Sequence, residues 1–332
     1  MNKRCIAVLL TLAMTGTLFG CGSSNTQKSD TTKKTERSDK ESVVVTMPTS
    51  SEPEAGFDPA YGWGAGEHVH EPLIQSTLTT TTKDLKIGKD LATDYSVSED
   101  GLVWTVKIRE DVKFTDGEKL TASDVAFTYN NCVKNSTVND FTMLKEAVAV
   151  DDTTVEFHMN KPFSIWPYTM AIVGIVPEHA YDSASYGSNP IGSGRYILKQ
   201  WDRGQQVILE ANPDYYGEAP IMKRVTILFM EEDAAFLAAK AGQVDVAYTS
   251  ATYSDQTVTG YGLAAYDSVD NRGFNLPAIP RTEDEKGRTI GNDLTSDVRV
   301  RRAINIGIDR KEMIDNVLNG YGTPAYSVCD GM

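Results

Sequence analysis

His68 and His70 stand two residues apart immediately before Glu71 and Pro72, and paired imidazoles are a common start to a metal site. A spacing of two does not put both on one face of a helix, and no third ligand is fixed nearby. They read as surface or capping histidines, and only as weak metal candidates. Tyr61 and Trp63 lie in residues 57–66, a loop rich in glycine and aromatics. Such rings could stack on a ligand or pack the loop against its own domain. Arg272 carries a planar fork that suits a carboxylate, or equally a structural salt bridge, and Phe274 follows two residues on. Tyr248 closes the apolar stretch 244–248. The cysteines, Cys5, Cys21, Cys132 and Cys329, show neither CxxC nor zinc-type spacing with histidine. Nothing in the sequence gives geometric support for a disulfide between Cys132 and Cys329; they read as one semi-buried thiol and one thiol near the chain end. No GxSxG elbow, HExxH helix or GxxxxGK[ST] loop is present, so neither an enzyme nor a cofactor is expected.

Cys21 has a different setting. Lys3 and Arg4 form a positive start, and residues 6–19 are mostly apolar but too short to span a bilayer stably. Leu18-Phe19-Gly20-Cys21 then resembles the bacterial lipobox. The resemblance implies cleavage after Gly20 and acylation of the Cys21 thiol. Residues 1–20 are accordingly a lipoprotein signal peptide. Residues 21–42, rich in serine, threonine, lysine and aspartate, are a flexible tether. The formal net charge of −14 repels both phosphate backbones and anionic head groups. No nucleic-acid partner is expected, and lipid on Cys21 supplies a membrane attachment that surface charge does not.

These residues need elements to hold them. At 332 residues the chain exceeds one ordinary domain, so two or more lobes are expected. Alternation predicts strands at 43–45 and 102–108, and hairpins at 148–159 and at 195–211 across Asp202-Arg203-Gly204. Further strands are expected at 225–230 and, buried, at 244–248. Pro72 suggests an early helical position and a helix over 71–78. Thr121 and Asp124 form a capping box that opens a helix to about residue 133. Helices are also expected at 234–241, with Gly242 beyond the end, at 298–306, and at 310–318 between Asp309 and Gly320. The mixture of hairpins and βα units points to α/β or α+β lobes.

Four segments together resemble the family 5 extracellular solute-binding proteins, which serve ABC importers of oligopeptides, dipeptides and nickel. The first runs from Asp100-Gly101-Leu102-Val103-Trp104 through Phe114-Thr115-Asp116-Gly117 to Ser123-Asp124-Val125. The second is Asn189-Pro190-Ile191-Gly192-Ser193-Gly194-Arg195-Tyr196, and the third Asn212-Pro213-Asp214-Tyr215-Tyr216-Gly217. The fourth is Asp297-Val298-Arg299-Val300-Arg301-Arg302-Ala303-Ile304-Asn305 with Asp309-Arg310. Their order and spacing follow the family across 43–326.

The resemblance implies a type II (cluster C) periplasmic-binding-protein-like fold, with two mixed α/β lobes on a hinge and an inserted subdomain in the first. Residues 43–61 and 188–269 would form the lobe I core, 62–187 the inserted subdomain, and 270–332 the start of lobe II. The second lobe would be largely missing, leaving open sheet edges and a half-built core. The implied function is capture of peptides or peptide-like solutes and their delivery to membrane permeases served by a separate ATPase. Nickel or metal-chelate capture, or a sensory or adhesive role without transport, are the alternatives. Tyr61, Trp63, Tyr248, Arg272 and Phe274 are the expected ligand contacts. The implied location is the extracytoplasmic face of a bacterial cell membrane, facing the periplasm where an outer membrane exists.

Overall fold

Alternating apolar residues in this chain fold into two separate four-stranded sheets, seen in a computed structural model. The structure describes residues 40–326 except 62–71, 83, 85, 137–138 and 267–271. The chain divides into two units, Met1–Asp39 and Lys40–Met332, and every described residue lies in the second. The expected signal peptide, the expected lipobox at Cys21 and most of the expected tether therefore lie outside the described residues, as do Cys329, Trp63, His68 and His70.

In chain order the strands begin with β1 (Ser42–Met47), β2 (Thr79–Thr81), β3 (Ile87–Lys89) and β4 (Ala92–Val97). They continue with β5 (Val103–Ile108), β6 (Leu144–Asp151), β7 (Thr154–Met159) and β8 (Tyr196–Asp202). The last are β9 (Gln206–Ala211), β10 (Arg224–Phe229), β11 (Thr282–Glu283) and β12 (Thr289–Ile290). The helices are α1 (Ala122–Asn135), α2 (Trp166–Met170), α3 (Glu232–Lys240), α4 (Val298–Gly307) and α5 (Arg310–Val317).

One sheet has the order β4-β5-β7-β6 and is antiparallel throughout. Its strands alternate as the sequence does. Trp104, Val106 and Ile108 of β5, and Val155, Phe157 and Met159 of β7, point to one buried face. Helix α1 lays Val125, Ala126, Tyr129 and Cys132 on that face. Its start is the expected capping box: the Thr121 backbone N–H donates to Asp124 Oδ2 at 2.9 Å. At the centre, the Tyr129 ring meets Phe157 edge-on, with centroids 4.7 Å apart, and both approach Trp166. Cys132 is a free thiol, and buried rather than semi-buried.

The other sheet has the order β1-β10-β9-β8. Strands β1 and β10 run parallel, while the β8–β9 hairpin turns across Gly204, where φ is +74° and a side chain would be strained. Phe57, Ile74, Val207, Leu209, Ile227 and Phe229 form its own smaller core.

Three further expectations are corrected. Residues 72–78 form no helix. Ile74, Gln75, Ser76, Thr77 and Leu78 are all buried, on every side of the segment. Its carbonyls serve other strands and loops: Leu73 O accepts from Tyr196 N, Ile74 O from Gly194 N and Ser76 O from Ile175 N. A helix would have turned those acceptors inward. Residues 244–248 are not a buried strand. They make one parallel bridge, Val45 to Val246, and Val246 and Tyr248 are half exposed. Finally, the second lobe is not largely missing, because β11, β12, α4 and α5 are all present. Local signals build them. Asp284 Oδ1 accepts the Lys286 and Arg288 N–H groups in the β11–β12 turn, Asp297 caps α4 through Arg299 N, and Asp309 caps α5 through Glu312 N. Neither α4 nor α5 buries a residue.

Candidate functional site

Parallel strands present their carboxyl ends on one edge of a sheet, and such edges carry ligand sites in α/β folds. Here that edge is built from the ends of β1 and β10 and from the 244–248 stretch. Met230 N donates to Met47 O at 3.0 Å, Thr46 N to Val246 O at 3.0 Å, and Tyr248 N to the Thr46 hydroxyl at 2.9 Å. Tyr248 therefore has a fixed backbone and a free ring, 52% exposed. The Thr49 hydroxyl donates to the Glu231 carboxylate across the same edge. At the opposite end of β1, Asp245 accepts from Lys40 and from Val44 N, and the Lys40 ammonium holds its carboxyl below the usual range.

Tyr61 is positioned from below. Gly56, at φ +81°, passes so close to Gly187 that an added Cβ would lie 2.2 Å from the Gly187 carbonyl oxygen. Phe57 N donates to that carbonyl at 2.8 Å. Asp58 then folds the chain back: its Oδ1 accepts from Ala60 N at 2.9 Å and its backbone carbonyl from Tyr61 N at 3.1 Å. The second oxygen of Asp58 accepts the Tyr181 hydroxyl at 2.7 Å, and Asn131 donates to that hydroxyl at 2.9 Å. Burial pushes the Asp58 carboxyl up, and the Ala60 N–H and Tyr181 hydroxyl partly offset it. Burial and the Asp58 carboxylate push the Tyr181 hydroxyl up as well. Nearby, Gln75 Nε2 donates to Phe57 O at 2.9 Å and to the Tyr186 hydroxyl at 3.2 Å.

This buried network was missed in the sequence. Asp58-Pro59 carries a turn signal, but nothing local marks Tyr181 or Asn131 as its partners. A second missed arrangement faces a small polar crevice lined in part by Gln75, Thr77, Asp90 and Tyr215. Beside it the Arg109 guanidinium lies 4.4 Å from the Tyr216 ring centre, and the Tyr216 hydroxyl donates to Asp90 at 2.6 Å.

The proposed contacts are not brought together. Tyr61 is partly buried against the larger core, Tyr248 stands at the carboxyl edge, and Arg272 and Phe274 are exposed, Phe274 by 70%. No hydrogen bond or ring contact joins any two of them among the described residues, and Trp63 lies outside those residues. Among the described residues no group of three or more metal-ligating side chains is found, and no helix is long and apolar enough to cross a membrane.

Residues 86–332 match the family described as bacterial extracellular solute-binding proteins, family 5 Middle. Protein XP55 of Streptomyces lividans is 30% identical over 300 residues, covering 86% of this chain and 52% of that protein. Oligopeptide-binding protein AppA of Bacillus subtilis is 28% identical over 340 residues, covering 97% of this chain and 59% of AppA. The chain thus spans little more than half the length of these curated relatives. Among solved structures, AppA in complex with a nonapeptide superposes with a TM-score of 0.70 at 27% identity, covering 87% of this chain and 58% of AppA. NikZ of Campylobacter jejuni, in complex with Ni(L-His), gives a TM-score of 0.73 at 24% identity, covering 86% and 57% of the two chains, and shows likeness of fold. With the mixed α/β architecture and a match running from residue 86 to residue 332, the chain belongs to the bacterial extracellular solute-binding proteins of family 5.

Proposed function

We propose that this chain captures peptides or peptide-like solutes for an ABC importer, passing them to membrane permeases driven by a separate ATPase. The observation that carries the reading is the likeness to AppA in both sequence and structure, since AppA was solved around a nonapeptide. Acylation of Cys21 would hold the receptor at the extracytoplasmic face of the membrane and raise its effective concentration near the permease. The same reading takes 43–61 and 188–269 as the lobe I core, 62–187 as the inserted subdomain, and 270–332 as the start of lobe II. The two four-stranded sheets support the separation of the first two: β4, β5, β6 and β7 all fall within 62–187, while β1, β8, β9 and β10 fall in the flanking segments. Tyr248 at the carboxyl edge, Tyr61 on its anchored turn, Trp63, and the exposed Arg272 and Phe274 are proposed to meet the ligand. Aromatic faces would take up side chains, and the Arg272 fork a carboxylate.

A ligand that binds only the native state raises its melting temperature. The test is thermal unfolding with a mixture of peptides two to about nine residues long, the upper length set by the AppA complex. A concentration-dependent rise is expected. A rise with nickel–histidine and none with any peptide would overturn the proposal.

A further inference from the structure

Asn319 is the one non-glycine residue with positive φ among the described residues, at +50°. It stands just past the end of α5, where asparagine tolerates the left-handed conformation and stops a helix. That would account for its backbone. It does not account for its side chain, which leaves the helix. Asn319 Nδ2 donates to Ala251 O at 2.9 Å and to Ser254 Oγ at 3.3 Å. Ala251–Tyr253 is a short 3-10 turn that follows the stretch bridged to β1. Ser254 shapes the same acceptor, because its N–H and hydroxyl both donate to Ala251 O. Among the described residues, no other hydrogen bond, ion pair or ring contact joins 272–326 to 40–266.

We propose that Asn319 is a latch: its side-chain amide docks the end of α5 on the 251–254 turn and biases the α4–α5 segment toward one orientation on the sheet of β1. A single neutral hydrogen bond of this kind shifts a two-state balance by about 2- to 10-fold, enough to tune an equilibrium without locking it. Its consequence for solute capture rests on the receptor reading above, since closure of lobes around a ligand needs such a balance. The latch itself does not depend on any ligand.

Amide hydrogen exchange on the full chain without ligand tests it. Asn319→Gly keeps the left-handed backbone at no cost and removes only the side chain. The latch predicts that the Tyr253, Ser254 and Gln256 amides, each hydrogen-bonded within the turn, exchange about 2- to 10-fold faster in this variant. Asn319→Asp, which keeps the side-chain size but has no donor for Ala251 O, should do the same. If Asn319 only ends α5, exchange changes at residues 318–321 or nowhere, the turn amides keep their wild-type rates, and the proposal is overturned. Because no peptide is added, failure here leaves the receptor reading standing, and failure of peptides to bind leaves the latch standing.

Discussion

Helices α1 and α5 start on the same kind of signal and finish in opposite surroundings. Asp124 accepts the Thr121 N–H at the start of α1, and Asp309 accepts the Glu312 N–H at the start of α5. Helix α1 then buries Val125, Ala126, Tyr129 and Cys132 against the β4-β5-β7-β6 sheet. Helix α5 buries nothing, and neither does α4, whose Ile306 is 82% exposed. A cap acts within one turn of helix and needs no tertiary partner. A core needs strands brought from elsewhere in the chain. The difference teaches that helix position and helix burial are separate properties, with separate sources in the sequence.

The largest expected effect sets the two regions furthest apart. Phe157→Ala removes a ring packed edge-on against both Tyr129 and Trp166 and should cost about 3–5 kcal/mol in urea unfolding. Ile306→Ala should change the same measurement by less than about 0.5 kcal/mol. Comparable losses in both variants would mean that the exposed face of α4 is covered in solution, and the contrast would fall.

A smaller effect isolates the cap. Asp309→Ala should weaken α5 by about 1 kcal/mol, read as faster exchange of the Glu312 and Met313 amides, with the midpoint of global unfolding unchanged. A shift of the global midpoint would instead show α5 and the sheets unfolding as one unit.

The finest distinction is one of pH. Burial holds the Asp58 carboxyl above its ordinary value of 3.8. The native state therefore binds this proton more tightly than the unfolded chain does. The stability it contributes is present below the ordinary value and is lost as pH rises through the raised one. Asp58→Asn removes that dependence, so the stability of wild type relative to the variant should be greater near pH 3.8 than at neutral pH. A difference that does not vary with pH would show that Asp58 titrates as a solvated carboxylate.

How much of this was legible in the sequence follows the same division. The capping box of α1, the Asp309 N-cap and Gly320 stop around α5, the β8–β9 hairpin and the alternation of β5 and β7 could all be read directly, because each is a signal spanning a few residues. The 71–78 expectation failed because Pro72 is a local hint, while the segment's carbonyls are claimed by Tyr196, Gly194 and Ile175. The 244–248 stretch looked buried because it is apolar, yet only Val244 of its apolar side chains is deeply covered. Short strands such as β2 and β3 gave too little alternation to be seen. Of the proposed ligand contacts, the sequence supplied residue types; it could not show that Tyr61 sits on a turn held by Asp58.

By itself the sequence determined the family, through the order and spacing of its four motif segments, and the ends of most helices and hairpins. The tertiary structure alone decided which of these elements share a core and which polar groups meet. Asp58 and Tyr181 are 123 residues apart, and Asn319 and Ala251 are 68 apart. Caps and turns are settled by hydrogen bonds within about four residues, so they survive in a one-dimensional reading. Burial and the pairing of polar groups inside it depend on which distant segments exclude water together, and that is fixed only when the chain has folded.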